Sequence, residues 1–95
     1  MKALRIRIPD ANPSKNVFRF ILLYKCAEIE LNYQASDQLA IVQLLTTVGE
    51  TCTLTRYMPS YEFESFQSRY LKFINSDELF FNLSDFNLST DLTFI

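Results

Sequence analysis

Apolar and polar positions alternate along several short windows of this chain and recur at helical spacing in another. ALRIRI, residues 3–8, sets Leu4, Ile6 and Ile8 against Arg5 and Arg7, which predicts a strand with one apolar and one cationic face. AEIELNY, residues 27–33, alternates Ile29, Leu31 and Tyr33 with Glu28, Glu30 and Asn32, a second strand signal. ETCTLTRYM gives a Thr-rich strand with Cys52 and Leu54 on one side and Thr51, Thr53 and Thr55 on the other. In PSYEFESFQSRYLKFIN, Phe63, Phe66, Tyr70 and Phe73 follow +3, +4 and +3 spacing, with Ile74 completing the stripe. Ser60 is placed to cap this helix, Glu62 and Glu64 sit near its positive end, and Arg69 and Lys72 lie toward the negative one. An amphipathic helix of this kind must fold its stripe onto something, so the aromatic row is expected to be core.

Two further segments are read as helices. Residues 15–27, KNVFRFILLYKCA, are apolar nearly all round after Ser14, which predicts a deeply buried helix. The competing reading makes 17–25 a strand with Phe18, Phe20, Leu22 and Tyr24 on one face, and then a bulge must repair the parity shift before Ile29. SDQLAIVQLLTTVG offers Ser36 as N-cap, Asp37 in the first turn, and the chain's single glycine, Gly49, where a left-handed C-terminal residue belongs. PDANPS is a loop, DELFFNL a strand through Leu79, Phe81 and Leu83, and DFNLSTDLTFI a last strand or a partner-ordered arm. The expected fold is α/β (or α+β): a small single domain over residues 1–95, with a mixed sheet of four to five strands and two to three packed helices.

Composition narrows the chemistry. With 48% hydrophobic residues over 95 positions the chain is expected to fold, and no apolar window approaches the length of a membrane helix. Arg5, Arg7, Pro9 and Asp10 interrupt any signal-peptide core, so the expectation is a cytoplasmic protein with Cys26 and Cys52 as reduced thiols. Histidine is absent, the single glycine rules out a phosphate-cradling loop, and Glu28 with Glu30 reads as a solvated strand face. DFNLSTD has calcium-loop rhythm but Thr90 stands where the turn glycine belongs. No catalytic residue, cofactor or metal is therefore expected.

Charge is small overall, −2, but uneven. Residues 1–25 carry six cations against Asp10 alone, a net +5; residues 26–95 carry three cations against ten acids, a net −7. This polarity suits an oriented contact or self-association. The first expectation is a non-enzymatic protein-interaction domain, an adaptor, regulator or inhibitor that forms homo-oligomers. Its contact residues are Tyr57, Tyr61, Phe81, Asp85, Phe86 and Asp91. A sharper form is a small acidic inhibitor from a phage or mobile element that occludes a basic nucleic-acid-binding partner. The alternative is a small RNA- or DNA-binding domain using Lys2, Arg5, Arg7, Lys15 and Arg19, with Phe18, Phe20 or Tyr24 stacking if their segment is a strand. The opening MKALRIRI resembles the first strand of the ferredoxin-like domains of CRISPR-associated RNA-binding proteins, over eight residues and without their glycine-rich loop. That resemblance implies RNA binding through this strand.

Overall fold

Leu4 and Ile6 are fully buried, and this fixes the strand that carries them at the centre of a sheet. The computed structural model describes residues 2–8 and 17–88. In chain order its elements are β1 (Ala3–Ile8), β2 (Val17–Leu22), a 3-10 turn (Leu23–Lys25), β3 (Cys26–Gln34), β4 (Leu39–Thr46) and β5 (Thr51–Tyr57). Helix α1 (Ser60–Ile74), β6 (Phe80–Leu83) and β7 (Asn87–Leu88) follow. β2-β1-β6 form a three-stranded sheet in which β1 is antiparallel to β2 and parallel to β6. β3-β4-β5-β7 form a second, antiparallel sheet. The class is a small mixed α/β architecture, with two sheets where one was expected and one α-helix where two or three were.

Both departures arise where an apolar run was read as a helix. In β2 the run is split by a sheet: Ile21 points into the core opposite Leu4, while Phe20 lies opposite Arg5 on the outer face. The 3-10 turn then joins β2 to β3, and the pairing register shifts between Cys26 and Glu28, which absorbs the parity change. β4 carries apolar residues on both of its faces. Ala40, Val42 and Leu44 are buried in the core while Leu39, Ile41 and Leu45 are half-buried outside. A strand apolar on both faces reads as continuous hydrophobicity and loses its alternation. Ser36 accordingly caps nothing: Asp37 and Gln38 donate to the Gln34 and Ala35 carbonyls in a turn. Gly49 does hold a left-handed conformation, φ 86°, but in the β4–β5 hairpin, where its N–H donates to the Thr46 carbonyl at 3.0 Å.

The aromatic helix forms as expected. Its N-cap is Pro59 rather than Ser60; the Pro59 carbonyl accepts the Glu62 and Phe63 N–H groups at 3.0 and 3.1 Å. Met58 before the cap and Phe63 at the fourth helical position share the core cluster, the arrangement of a hydrophobic staple. Phe63, Phe66, Tyr70 and Phe73 are buried, whereas Ile74 is 41% exposed and lies off the stripe. Phe81 of β6 meets three of these rings, Phe66, Tyr70 and Phe73, at centroid distances of 5.6, 5.5 and 5.3 Å. Phe86 packs on Phe66 at 5.3 Å, and Tyr33 of β3 stacks on Phe63 at 4.9 Å. The helix is thereby held to both sheets by rings. PDANPS and the tail beyond Leu88 lie outside the described residues.

Lys2 makes a second long-range link. Its ammonium donates to the carbonyls of Phe73 at 2.7 Å, of Glu78 at 2.9 Å, and of Ser76, and it lies 4.7 Å from the Phe73 ring centroid. Carbonyls at a helix C-terminus have no helical partner and carry negative partial charge, so a cation there satisfies both needs. Lys2→Met is expected to lower unfolding free energy by about 2 kcal/mol, the scale of a charge-assisted hydrogen bond. Phe81→Ala should cost about 3 kcal/mol by removing a ring shared by three neighbours. Urea unfolding followed by circular dichroism checks both; a loss under about 0.5 kcal/mol for either, the range of an ordinary surface substitution, would deny it a structural role.

Candidate functional site

The pairing register decides which side chains share a face. On β1, Leu4 and Ile6 point inward, so Ala3, Arg5 and Arg7 point out. Opposite them on β2 stand Leu22, Phe20 and Phe18, and on β6 Phe80 and Asn82. This outer face therefore combines three phenylalanines, two arginines and an asparagine, and no acidic residue occupies any of these register positions.

Its geometry is ordered by the rings. Phe20 and Phe80 come from the two flanking strands, yet their centroids are 5.0 Å apart, so they meet above β1. The register puts Ala3 directly between these strands, and Ala3 is only 1% exposed although it is not part of the hydrophobic core cluster. A small side chain here leaves room for two rings to close over it. Both rings still present broad surface to solvent, 49% for Phe20 and 59% for Phe80. The Arg5 guanidinium lies 3.9 Å from the Phe18 centroid, a cation–π contact that holds its charge on this face. Arg7 is exposed beside it. Asn82 turns its Oδ1 to the Ser84 N–H at 3.1 Å, which leaves its Nδ2 as the donor toward solvent.

The residues expected from the sequence distribute unevenly. Arg5 and Arg7 are together on this face. Lys2 is engaged at the helix end, Arg19 stands at a register position opposite Ile6 and is not without a partner, and Lys15 lies outside the described residues. Of the expected protein-contact residues, Phe86 is buried in the core and Phe81 is half-buried against it, both packed on the Phe66 ring. Tyr57 and Tyr61 are 75% and 73% exposed, Asp85 is exposed, and Asp91 lies outside the described residues. Phe80 and Asn82 were missed. The signal was present in DELFFNL, because placing Phe81 inward forces Phe80 and Asn82 outward.

Glu28 and Glu30 lie on the outer face of the other sheet, beside a shallow depression of about 300 Å³ lined also by Gln43, Leu45, Thr51 and Thr53. Negative and positive faces thus sit on different sheets. Among the described residues, no three His, Cys, Asp or Glu side chains gather where they could hold a metal ion, and no helix is long and apolar enough to cross a membrane. No protein-family model matches the chain, and neither a curated protein nor a solved structure matches it.

Neither thiol of the second sheet is in a disulfide; Cys52 is buried in the core and Cys26 is half-buried against it. Burial pushes Cys52 up from 9.0 to about 11, with Cys26 adding to the effect, and burial raises Cys26 as well. A thiol whose folded pKa lies above its unfolded one stays protonated while the unfolded chain ionises. The unfolded state then binds fewer protons, so stability falls as pH rises from 9 towards 11. Unfolding free energy measured across that window should decline, and Cys52→Ala should flatten the decline; a pH-independent wild type would contradict the buried placement.

Proposed function

We propose that this chain is a non-enzymatic binding domain that takes single-stranded nucleic acid on the outer face of its three-stranded sheet. The observation that carries this reading is the exposed Phe20–Phe80 pair set beside Arg5, Arg7 and Asn82 on a face with no acidic register position. Exposed rings on an open sheet offer sequence-tolerant stacking, worth about 1–3 kcal/mol per base, while arginines beside them meet the phosphates. Cation–π contact keeps Arg5 from folding back to a carboxylate, and Asn82 Nδ2 supplies a donor for a base-edge acceptor. Duplex is a poorer ligand, since its bases are already stacked and its grooves do not admit a flat sheet of rings.

A second reading, capture of a protein partner, draws support from Tyr57 and Tyr61. They flank the β5–α1 junction and are largely exposed, and tyrosine is enriched at interface hot spots. Regulation or inhibition of a basic partner belongs to this reading, with the acidic outer face of the second sheet as its electrostatic complement.

Fluorescence anisotropy with mixed-sequence single-stranded RNA and DNA at low salt separates the two. Binding should weaken with added salt, and Phe20→Ala and Phe80→Ala should each lower affinity by roughly 5- to 150-fold, the stacking range. Arg7→Glu should weaken binding and reduce the salt slope. Unchanged circular dichroism guards against unfolding, as all three side chains are exposed. No anisotropy change with either nucleic acid at low salt would overturn the proposal.

A further inference from the structure

We infer that β3 pairs with β3 of a second copy, joining two four-stranded sheets into one continuous sheet about a two-fold axis at Leu31. β3 is the outermost strand of its sheet and, at nine residues, the longest free edge among the described residues; β2, β6 and β7 span six, four and two. An edge of unpaired N–H and C=O groups is a template for another strand unless proline, lysine or a bulge blocks it. β3 holds no proline, glycine or lysine, and its only register irregularity lies at one end, between Cys26 and Glu28. From Glu28 to Gln34 it pairs regularly with β4 and is open on the other side.

Its sequence is complementary to itself, and the register centred on Leu31 is the one that pairs the whole regular stretch from Glu28 to Gln34. With Leu31 on the axis, Glu30 faces Asn32 of the second copy and Glu28 faces Gln34, so each carboxylate meets a carboxamide on the outer face. On the inner face Leu31 meets Leu31 and Ile29 meets Tyr33. Moving the axis by one residue to Glu30 sets Glu30 against Glu30, and moving it further toward the N-terminus sets Glu28 against Glu30; like charges directly opposed disfavour both. Carboxylate and carboxamide already bond within this strand, where Asn32 Nδ2 donates to Glu30 Oε1 at 3.0 Å. A groove of about 450 Å³ beside Leu31, lined on α1 by Tyr70 and the exposed Leu71 together with Glu64, Gln67 and Ser68, gives the second copy's inner-face side chains a partly apolar seat.

Sedimentation velocity from low to high micromolar concentration should show a monomer–dimer equilibrium. Asn32→Glu and Gln34→Glu, both at exposed positions, each place two carboxylates against carboxylates and should weaken the dimer by roughly 2- to 30-fold. Asn32→Lys and Gln34→Lys should tighten it. Circular dichroism of the variants should match wild type. A strict monomer at high concentration would overturn the inference. So would a dimer insensitive to Gln34→Glu and Gln34→Lys, since the Leu31-centred register puts residue 34 opposite Glu28.

Discussion

Phe81 is the ring on which the two halves of the architecture depend. α1 carries all its buried surface as one aromatic stripe, and that stripe must be covered from the side of the three-stranded sheet by something large enough to meet three rings. Phe81 does this, touching Phe66, Tyr70 and Phe73. Because side chains alternate on a strand, committing Phe81 to the helix commits Phe80 to the opposite face. The core contact and the exposed platform are therefore two outcomes of one constraint. Aromatic pairs add tilted and edge-on geometry to plain area burial, so this contact also sets the rotation of the helix over the sheet.

Lys2 complements that contact at the C-terminal end of the helix, where it shares Phe73 with Phe81. It draws the carbonyls of Phe73, Ser76 and Glu78 around one ammonium and so fixes where the chain leaves α1 to begin β6. The cation-rich N-terminal quarter is divided by this. One charge is consumed in holding the fold together, and Arg5 and Arg7 are left on the outer face. Net charge by segment could not separate these roles, since both kinds of cation lie within six positions of each other in the sequence.

What was legible follows from how many faces of each element are buried. β1, β3, β5 and α1 each bury one face, and their periods of 2 and 3.6 appear directly in ALRIRI, AEIELNY, ETCTLTRYM and SYEFESFQSRYLKF. β2 and β4 put apolar residues on both faces. In β4 these are Leu39, Ile41 and Leu45 outside and Ala40, Val42 and Leu44 inside. In β2 the outer face carries phenylalanine instead of polar residues. A continuous apolar run looks the same whether helix or strand produces it, and the cues that tipped the reading, Ser36 and Gly49, serve a turn and a hairpin equally well. The candidate site was legible only in its arginines. Its rings depended on Phe18 and Phe20 being on a strand, which is the one place where the pattern was ambiguous.

The parallel pairing of β1 with β6 joins Ala3 to Phe80, and so the first and last parts of the described chain. β3, β4 and β5 are successive hairpin neighbours whose contacts are local, whereas β1 can gain its central position only once α1 and β6 exist to receive it. The β3–β4–β5 pairings therefore close far shorter stretches of chain than the β1–β6 pairing does. During synthesis, the strand bearing Arg5 and Arg7 emerges early and waits for the partner that completes it. Until then the phenylalanines of β2 have no Phe80 to close against, so the same surface that suits a binding face is, in the growing chain, the one most in need of shelter.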